Sequence, residues 1–551
     1  MNQTHFSFWP NRVPKTLVYP QTPLFEFLET SARRFPEHPA IIFYGTRIKY
    51  FDLWDSCLRL AGALAASGIK KGDRIALYMQ NCPHFAMAFL GIMRANAIVV
   101  PLNPMLVDNE LRTLLKDSGV SAIITTTELY SRVSGISGEL GIEKVIVGAL
   151  SDYLPEIPEI PVPDFMDAIP AAIEGTTGWR DALAGAYTPP AVEVGPDDLC
   201  LLPYTAGSTG IPKGCMHTHA TVTANVMGSM YWINGAPSLV GLASLPFFHV
   251  TGMIHSFLAP IAMGATFVIL TRWDRRAALT AIEKYQVGLW ANITTMLIDL
   301  LSAPDIAEHD LGSLNFVGGG GAPLPSAVGD KLEALTGIRY AEGYGLTETI
   351  SQTHWNPPDR PKSGSIGIPV FDVDARIIDV SNLREVAPGE QGEIAVHGPQ
   401  VFKGYWNNPE ATREASTEID GKQFFRTGDI GRRDEEGYFF VMDRLKRMIN
   451  AAGFKVWPAE VEATLYKHPA VLEACVIAVP DEERVETVKA VVVLRPEAAG
   501  TTAEEIISWS KKQMSAYKYP RLVEFVDSLP KSGAGKILWR QIQENERERF
   551  A

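Results

Sequence analysis

The chain has 551 residues, and 46% of them are hydrophobic and 21% charged, the balance of a soluble globular protein. At 60.4 kDa it is too long for one core, so two or more domains are expected. With 50 basic against 63 acidic residues the formal net charge is −13, which argues against a nucleic-acid binder but not against ATP, since a few lysines and backbone amides can hold a polyphosphate inside an acidic protein.

The opening MNQTHFSFWPNR has no basic stretch followed by an apolar run, so no signal peptide is expected and the cytoplasm is the expected location. Buried strands are predicted at Arg74–Met79, Ala97–Pro101 and Ser121–Thr125, and helices at Asn109–Ser118 and Ala277–Tyr285. This alternation predicts an α/β fold with layered, largely parallel sheets. Leu154–Asp164 carries Pro155, Pro158, Pro161 and Pro163 and reads as a surface loop between subdomains. Phe257–Leu270 is the longest apolar run. It is too short to span a bilayer and reads as a buried helix followed by a strand. A charged segment at Asp443–Arg447 marks a boundary, giving domains 1–442 and 443–551. The second reads as small and α+β, with helices at Pro458–Tyr466 and Ala503–Gln513 and strands at Val476–Val479 and Ala490–Leu494. The five cysteines form no CxxC pair, which points to a reduced compartment without structural zinc.

The chemistry begins at Tyr204-Thr205-Ala206-Gly207-Ser208-Thr209-Gly210-Ile211-Pro212-Lys213-Gly214. Its glycines let amides converge on an anion, Ser208 and Thr209 add hydroxyl donors, and Lys213 adds a charge. No Ser or Thr follows the lysine, so this phosphate loop is not of Walker A form.

The loop resembles the signature of the adenylate-forming superfamily, which includes acyl-CoA synthetases, luciferase and adenylation domains, and four further motifs follow in that family's order. Tyr340–Thr349 resembles the adenine and magnesium motif. Phe425–Asp429 resembles the ribose motif. Gly437–Lys446 with Ala452–Val456 resembles the hinge and thiol-delivery loop. Pro530–Ile537 resembles the catalytic-lysine motif. The resemblance spans Thr22 to Lys536 and implies a large N-terminal ATP- and acyl-binding domain with a small mobile C-terminal domain, using ATP, Mg²⁺ and coenzyme A.

Carried over residue by residue, the resemblance implies that Lys536 bridges the substrate carboxylate and the α-phosphate, where charge must be neutralised for attack to occur. Glu348 would hold Mg²⁺ through oxygen, with Thr347 reaching the phosphate. Thr205–Gly210, Lys213, Gly320, Ala322 and the run Glu342-Gly343-Tyr344-Gly345-Leu346 would bind ATP, with Tyr344 stacked on adenine. Asp429 and Arg444 would hold the ribose, Lys446 would act as hinge, and Ala452, Gly453, Phe454 and Lys455 would line the CoA path. Each has a plainer alternative: an exposed lysine, a helix-start carboxylate, a core tyrosine, a turn aspartate. Glu342 stands where many relatives have Gln, Val485 where a glycine usually precedes the glutamate, and Arg447 where Asp is frequent.

Leu245–Met253 resembles the family's acyl motif, which implies that His249 gates the carboxylate, though it could instead be simply packed, and Gly318-Gly319-Gly320-Gly321 resembles the segment lining the acyl and adenine pockets, whose glycines would admit a ligand close to the backbone. His217 and His219 lack cysteine or carboxylate partners and read as structural rather than as zinc ligands. Because Phe247-Phe248-His249 contains no Asp to pair a substrate ammonium, an uncharged acyl body is expected over an amino acid, and no fused carrier domain is expected. The reading is therefore an AMP-forming acyl-CoA ligase for a hydrophobic, fatty acid. An aryl-CoA ligase, a carrier-loading adenylation enzyme, a luciferase-like oxygenase and a nucleotide binder without catalysis are the alternatives. Peripheral membrane contact and a homodimer are left open.

Overall fold

A computed structural model of the chain describes residues 4–166, 173–205, 212–321, 324–444, 447–451, 454–481, 485–531 and 537–550. These form two compact units. One comprises Met1–Ala375, Val396–Phe425 and Glu436–Tyr438; the other comprises Arg376–Ala395, Arg426–Glu435 and Phe439–Ala551. The chain passes between the units repeatedly, so 376–395 and 426–435 group with the residues after Phe439.

The first unit is built on two large sheets with helices packed on them. The expected strands appear within a residue or two, as Arg74–Tyr78, Ile98–Leu102 and Ala122–Thr126, at the centre of a seven-stranded sheet. They pair in parallel and, apart from Arg74 at the start of the first, are buried along their length, which is why they read as largely apolar runs. The nine-stranded sheet runs in the order 368–369, 351–355, 341–346, 316–320, 289–293, 240–243, 266–269, 39–43 and 46–49. Its middle is parallel and its outer pairs are antiparallel. The apolar run at 257–270 resolves into the end of a π-helix (Gly252–Leu258), a short α-helix (Ala259–Met263) and the strand Thr266–Ile269. Leu154–Asp164 carries no strand or α-helix and is pinned by the Glu159 amide donating to the Tyr44 carbonyl at 2.8 Å.

The second unit holds an antiparallel pair, Val471–Asp481 with Val485–Leu494, flanked by the hairpin Ile449–Ala451/Phe454–Val456 and by Leu522–Phe525 in parallel. Helices Pro458–Leu465, Ala503–Gln513 and Trp539–Phe550 complete it. Both long strands exceed their predicted lengths. Val471–Asp481 lies at the sheet edge, where Pro480 costs no ladder hydrogen bond. All five cysteines are buried. Among the described residues no helix is long and apolar enough to cross a membrane.

Candidate active site

Three of the predicted segments meet because of strand order. In the nine-stranded sheet, Val240–Ala243, Leu289–Ile293, Phe316–Gly320 and Ala341–Leu346 are successive parallel neighbours. Their carboxyl ends therefore open on one edge, where open α/β sheets bind ligands. The acyl segment Leu245–Val250 leaves the first of these strands, the glycine run ends the third, and Thr347–Glu348 leaves the fourth.

Thr347-Glu348-Thr349 forms a single 3₁₀ turn. Glu348 is 8% exposed, and the Tyr405 hydroxyl donates to its Oε1 at 2.7 Å. Burial and the neighbouring carboxylate push the Tyr405 hydroxyl far up, so it stays a donor. Lys213 Nζ lies 4.8 Å from the centre of the same ring, a cation–π contact. Lys213 is placed by the pairing of Lys213–Gly214 with Tyr204–Thr205, a register that sets Lys213 opposite Thr205. The Trp406 amide donates to the Gly214 carbonyl at 2.8 Å, so the base of the phosphate loop is fastened next to Tyr405. Ala206, Gly207, Ser208, Thr209 and Gly210 lie outside the described residues, as does Ala322.

His217 bears on this turn. Its Nε2 is 2.8 Å from the Thr347 carbonyl and its Nδ1 is 3.2 Å from Thr221 Oγ1, while burial lowers its pKa to about 4. The neutral ring is thus a structural support for the turn. Glu342 is buried, and desolvation raises its carboxyl to about 7. Tyr344 is half-buried beside His354, ring centres 5.9 Å apart. His249 is exposed, and its Nδ1 accepts from the Thr251 amide at 3.3 Å, so it is not the packed histidine of the plainer alternative.

The glycines have a structural cause besides the one expected. A Cβ on Gly318 would lie 2.5 Å from the Ala341 carbonyl oxygen, on Gly319 1.8 Å from that of Asn292, and on Gly320 2.3 Å from that of Gly343. Neighbouring strands by themselves require glycine at these three positions. Gly345 is tighter, since its Cβ would fall 1.7 Å from the Ser351 carbonyl oxygen. Gly345→Ala should therefore displace the turn bearing Glu348. A loss of 3 kcal/mol or more is expected, on the order of the largest single-site effects, and is read as a fall in the denaturation midpoint. An unchanged midpoint would contradict it.

In the second unit, Asp429 is 2% exposed and stands opposite Arg444 in the register of its strand pair. The preceding turn is fixed by Glu393, which accepts from Arg426 Nη2 at 2.7 Å and from the Gly428 amide at 3.0 Å. The side chains of Arg444, Phe454 and Lys455 are outside the described set, as are Lys446, Ala452, Gly453 and Lys536 entirely. The ends of two loops are nonetheless fixed. Ala451 pairs with Phe454 around positions 452–453, and Lys531 bridges Ile537 around 532–536. Arg447, the departure from the family's usual Asp, is held by Glu462, with its Nη1 3.7 Å from Asp443.

Among the described residues no group of three or more His, Cys, Asp or Glu could hold a metal. Mg²⁺ is bound by one or two carboxylates together with substrate phosphates, and the buried oxygen donor of Glu348 fits such a part. Sequence reading missed Tyr405, which sits in no motif and is joined to Glu348 only by the fold.

The AMP-binding enzyme family matches residues 28–406, and the AMP-binding enzyme C-terminal domain matches residues 460–536. A long-chain-fatty-acid–CoA ligase of Bacillus subtilis is 38% identical over 98% of this chain and 97% of its own length. A feruloyl-CoA synthase of an Amycolatopsis species is 35% identical over 93% and 96%. The ATP-bound crystal structure of MatB from Rhodopseudomonas palustris superposes with a TM-score of 0.83 at 27% identity, covering 97% of this chain and 100% of that one.

Proposed function

This chain belongs to the AMP-binding enzyme family, and we propose that the acid it activates is a long-chain fatty acid. The reaction is AMP-forming acyl-CoA ligation. A carboxylate oxygen attacks the α-phosphorus of ATP, pyrophosphate leaves, and the CoA sulfur then displaces AMP from the acyl carbon. The observation that carries the reading is the convergence of the acyl segment, the glycine run and the Glu348 turn on one sheet edge. Phe247 in that segment is buried, and the segment carries no carboxylate.

In this reading residues 1–442 hold ATP and the acid, and residues 443–551 carry Lys536 and the thiol path Ala452–Lys455, with Lys446 as hinge. Lys213 and the loop Thr205–Gly210 receive the phosphates. Tyr344 stacks on adenine beside Glu342–Leu346, and Asp429 with Arg444 takes the ribose. Tyr405 aims the Glu348 carboxylate. Bound Mg²⁺ supplies neutralisation and orientation of the phosphates, and Glu348 is the residue that would hold it. His249 gates the acid. The cytoplasm is the proposed location.

The test is a screen of carboxylic acids with ATP, Mg²⁺ and CoA. AMP and pyrophosphate should be the nucleotide products, with no ADP. Activity should spread over several chain lengths, because one methylene is worth only ~1–3 kcal/mol in an apolar pocket. A preference for aromatic acids of the ferulate type would favour an aryl-CoA ligase. Exchange with one free amino acid and with no fatty acid would overturn the reading.

A further inference from the structure

The turn that carries Thr347 and Glu348 ends in a backbone that side chains normally avoid. Ile350 has φ of 44° and Ser351 has φ of 102°. A β-branched residue at positive φ is a true outlier, and such strain persists only where the surroundings impose it. Here the surroundings are specific. Asn225 Nδ2 donates to the Thr349 carbonyl at 2.8 Å and to the Ile350 carbonyl at 2.9 Å. One turn further along the same helix (His219–Trp232), Ser229 Oγ lies 2.9 Å from His255 Nδ1, and His255 Nε2 lies 3.1 Å from Ser351 Oγ. The Thr349 hydroxyl donates to the Ser351 carbonyl at 2.8 Å, and Asn225, Ser229, Thr349, Ile350 and Ser351 are all buried.

His255 is presented by the π-helix Gly252–Leu258, which begins three residues after His249. A π-turn places an extra residue in the helix and is often found at functional sites. Burial keeps the His255 ring neutral near pH 7, so one nitrogen donates and the other accepts, as a relay between two hydroxyls requires.

We infer that Asn225 and the Ser229–His255–Ser351 relay are positioning residues, which hold the strained turn so that Thr347 and Glu348 face the phosphates and which tie that turn to the acyl segment. The inference rests on the reading of Glu348 as the Mg²⁺-holding carboxylate. None of the four clamp side chains need touch substrate. Their effect is transmitted through the backbone of residues 349–351, so they act on the rate of the adenylation step and not on affinity for the acid.

The test is fatty-acid-dependent pyrophosphate exchange by the full chain, with Mg²⁺ titrated, on Asn225→Ala, Ser351→Gly, His255→Phe, His255→Gln and Glu348→Gln. Asn225→Ala and His255→Phe should lower kcat at least tenfold and raise the half-saturating Mg²⁺ at least threefold, with KM for the acid unchanged. His255→Gln, which can still donate and accept, should recover much of the rate. Ser351→Gly is the sharpest variant. Glycine accepts a φ of 102° without strain, so the denaturation midpoint should hold or rise while kcat falls. If Asn225→Ala and Ser351→Gly leave kcat and the Mg²⁺ requirement within twofold of the parent, while Glu348→Gln raises that requirement, the clamp is wrong and the metal assignment stands. If Glu348→Gln leaves the requirement unchanged while Asn225→Ala and Ser351→Gly still cut the rate, the metal assignment is wrong and the clamp stands.

Discussion

Lys536→Ala should lower acyl-adenylate formation by about 10²–10³-fold, the scale on which loss of one preorganised charge partner slows a reaction, while leaving most of the CoA step intact when ready-made acyl-adenylate is supplied. The carboxylate and the α-phosphate are both anions, so their approach needs a cation between them. Once the adenylate exists, that barrier has been passed. The second step instead needs the thiol to reach the acyl carbon. Gly453→Trp, in the segment between the paired Ala451 and Phe454, should do the reverse, with adenylate forming and thioester failing to form. The two positions lie more than eighty residues apart in one unit, and their loops are each closed by their own backbone pairing. Single-turnover assays of each half-reaction decide the matter. Equal loss of both steps in both variants would refute the division of labour.

Acidification should dismantle the site before it unfolds the rest of the first unit. Burial lowers the pKa of His217, His219 and His255 to about 4 and that of His354 to about 3. In the unfolded chain each titrates near 6.5. Between those values the unfolded state binds protons that the folded state does not, so stability is complete above pH 6.5 and is lost as the pH falls towards 4. The loss is on the order of 3 kcal/mol per histidine. Glu342 works the other way. Its folded carboxyl is raised to about 7 from an ordinary 4.5, so acid relieves one unfavourable ionisation in the same window and offsets about one histidine. Three of the four histidines surround the Glu348 turn. His217 meets Thr347, His255 meets Ser351, and His354 stands opposite Tyr344 in the strand register. Activity at pH 5 should therefore fall before the far-ultraviolet dichroism does, and calorimetry should show a lower Tm at pH 5 than at pH 7.5. A Tm that is flat across that range would defeat the argument.

What the sequence made legible was whatever is contiguous. The central parallel strands each lie within a dozen residues and fall within a residue or two of their predicted positions, and the proposed phosphate loop and the Thr347–Glu348 turn are equally contiguous. Tyr405 and Asn225 did not announce themselves, because each acquires its role through side-chain hydrogen bonds to partners 57 positions away for Tyr405 and 124 and 125 positions away for Asn225. His217 was read as structural without any sign of what it supports. The glycine run carries a cause that the sequence does not disclose. A missing side chain signals only that something comes close, and here the close neighbours of Gly318–Gly320 are carbonyls of adjacent strands.

The burial of the cysteines has a chemical consequence. An acyl-adenylate is a mixed anhydride, an acylating reagent that modifies any thiolate it meets. Cys57, Cys82, Cys200, Cys215 and Cys475 are all enclosed, and burial raises every one of their pKa values, that of Cys475 to about 12. At neutral pH the protein presents no sulfur nucleophile of its own, even at Cys215, two residues from Lys213. The thiol of the incoming coenzyme therefore meets no competing thiolate from the chain that holds the intermediate.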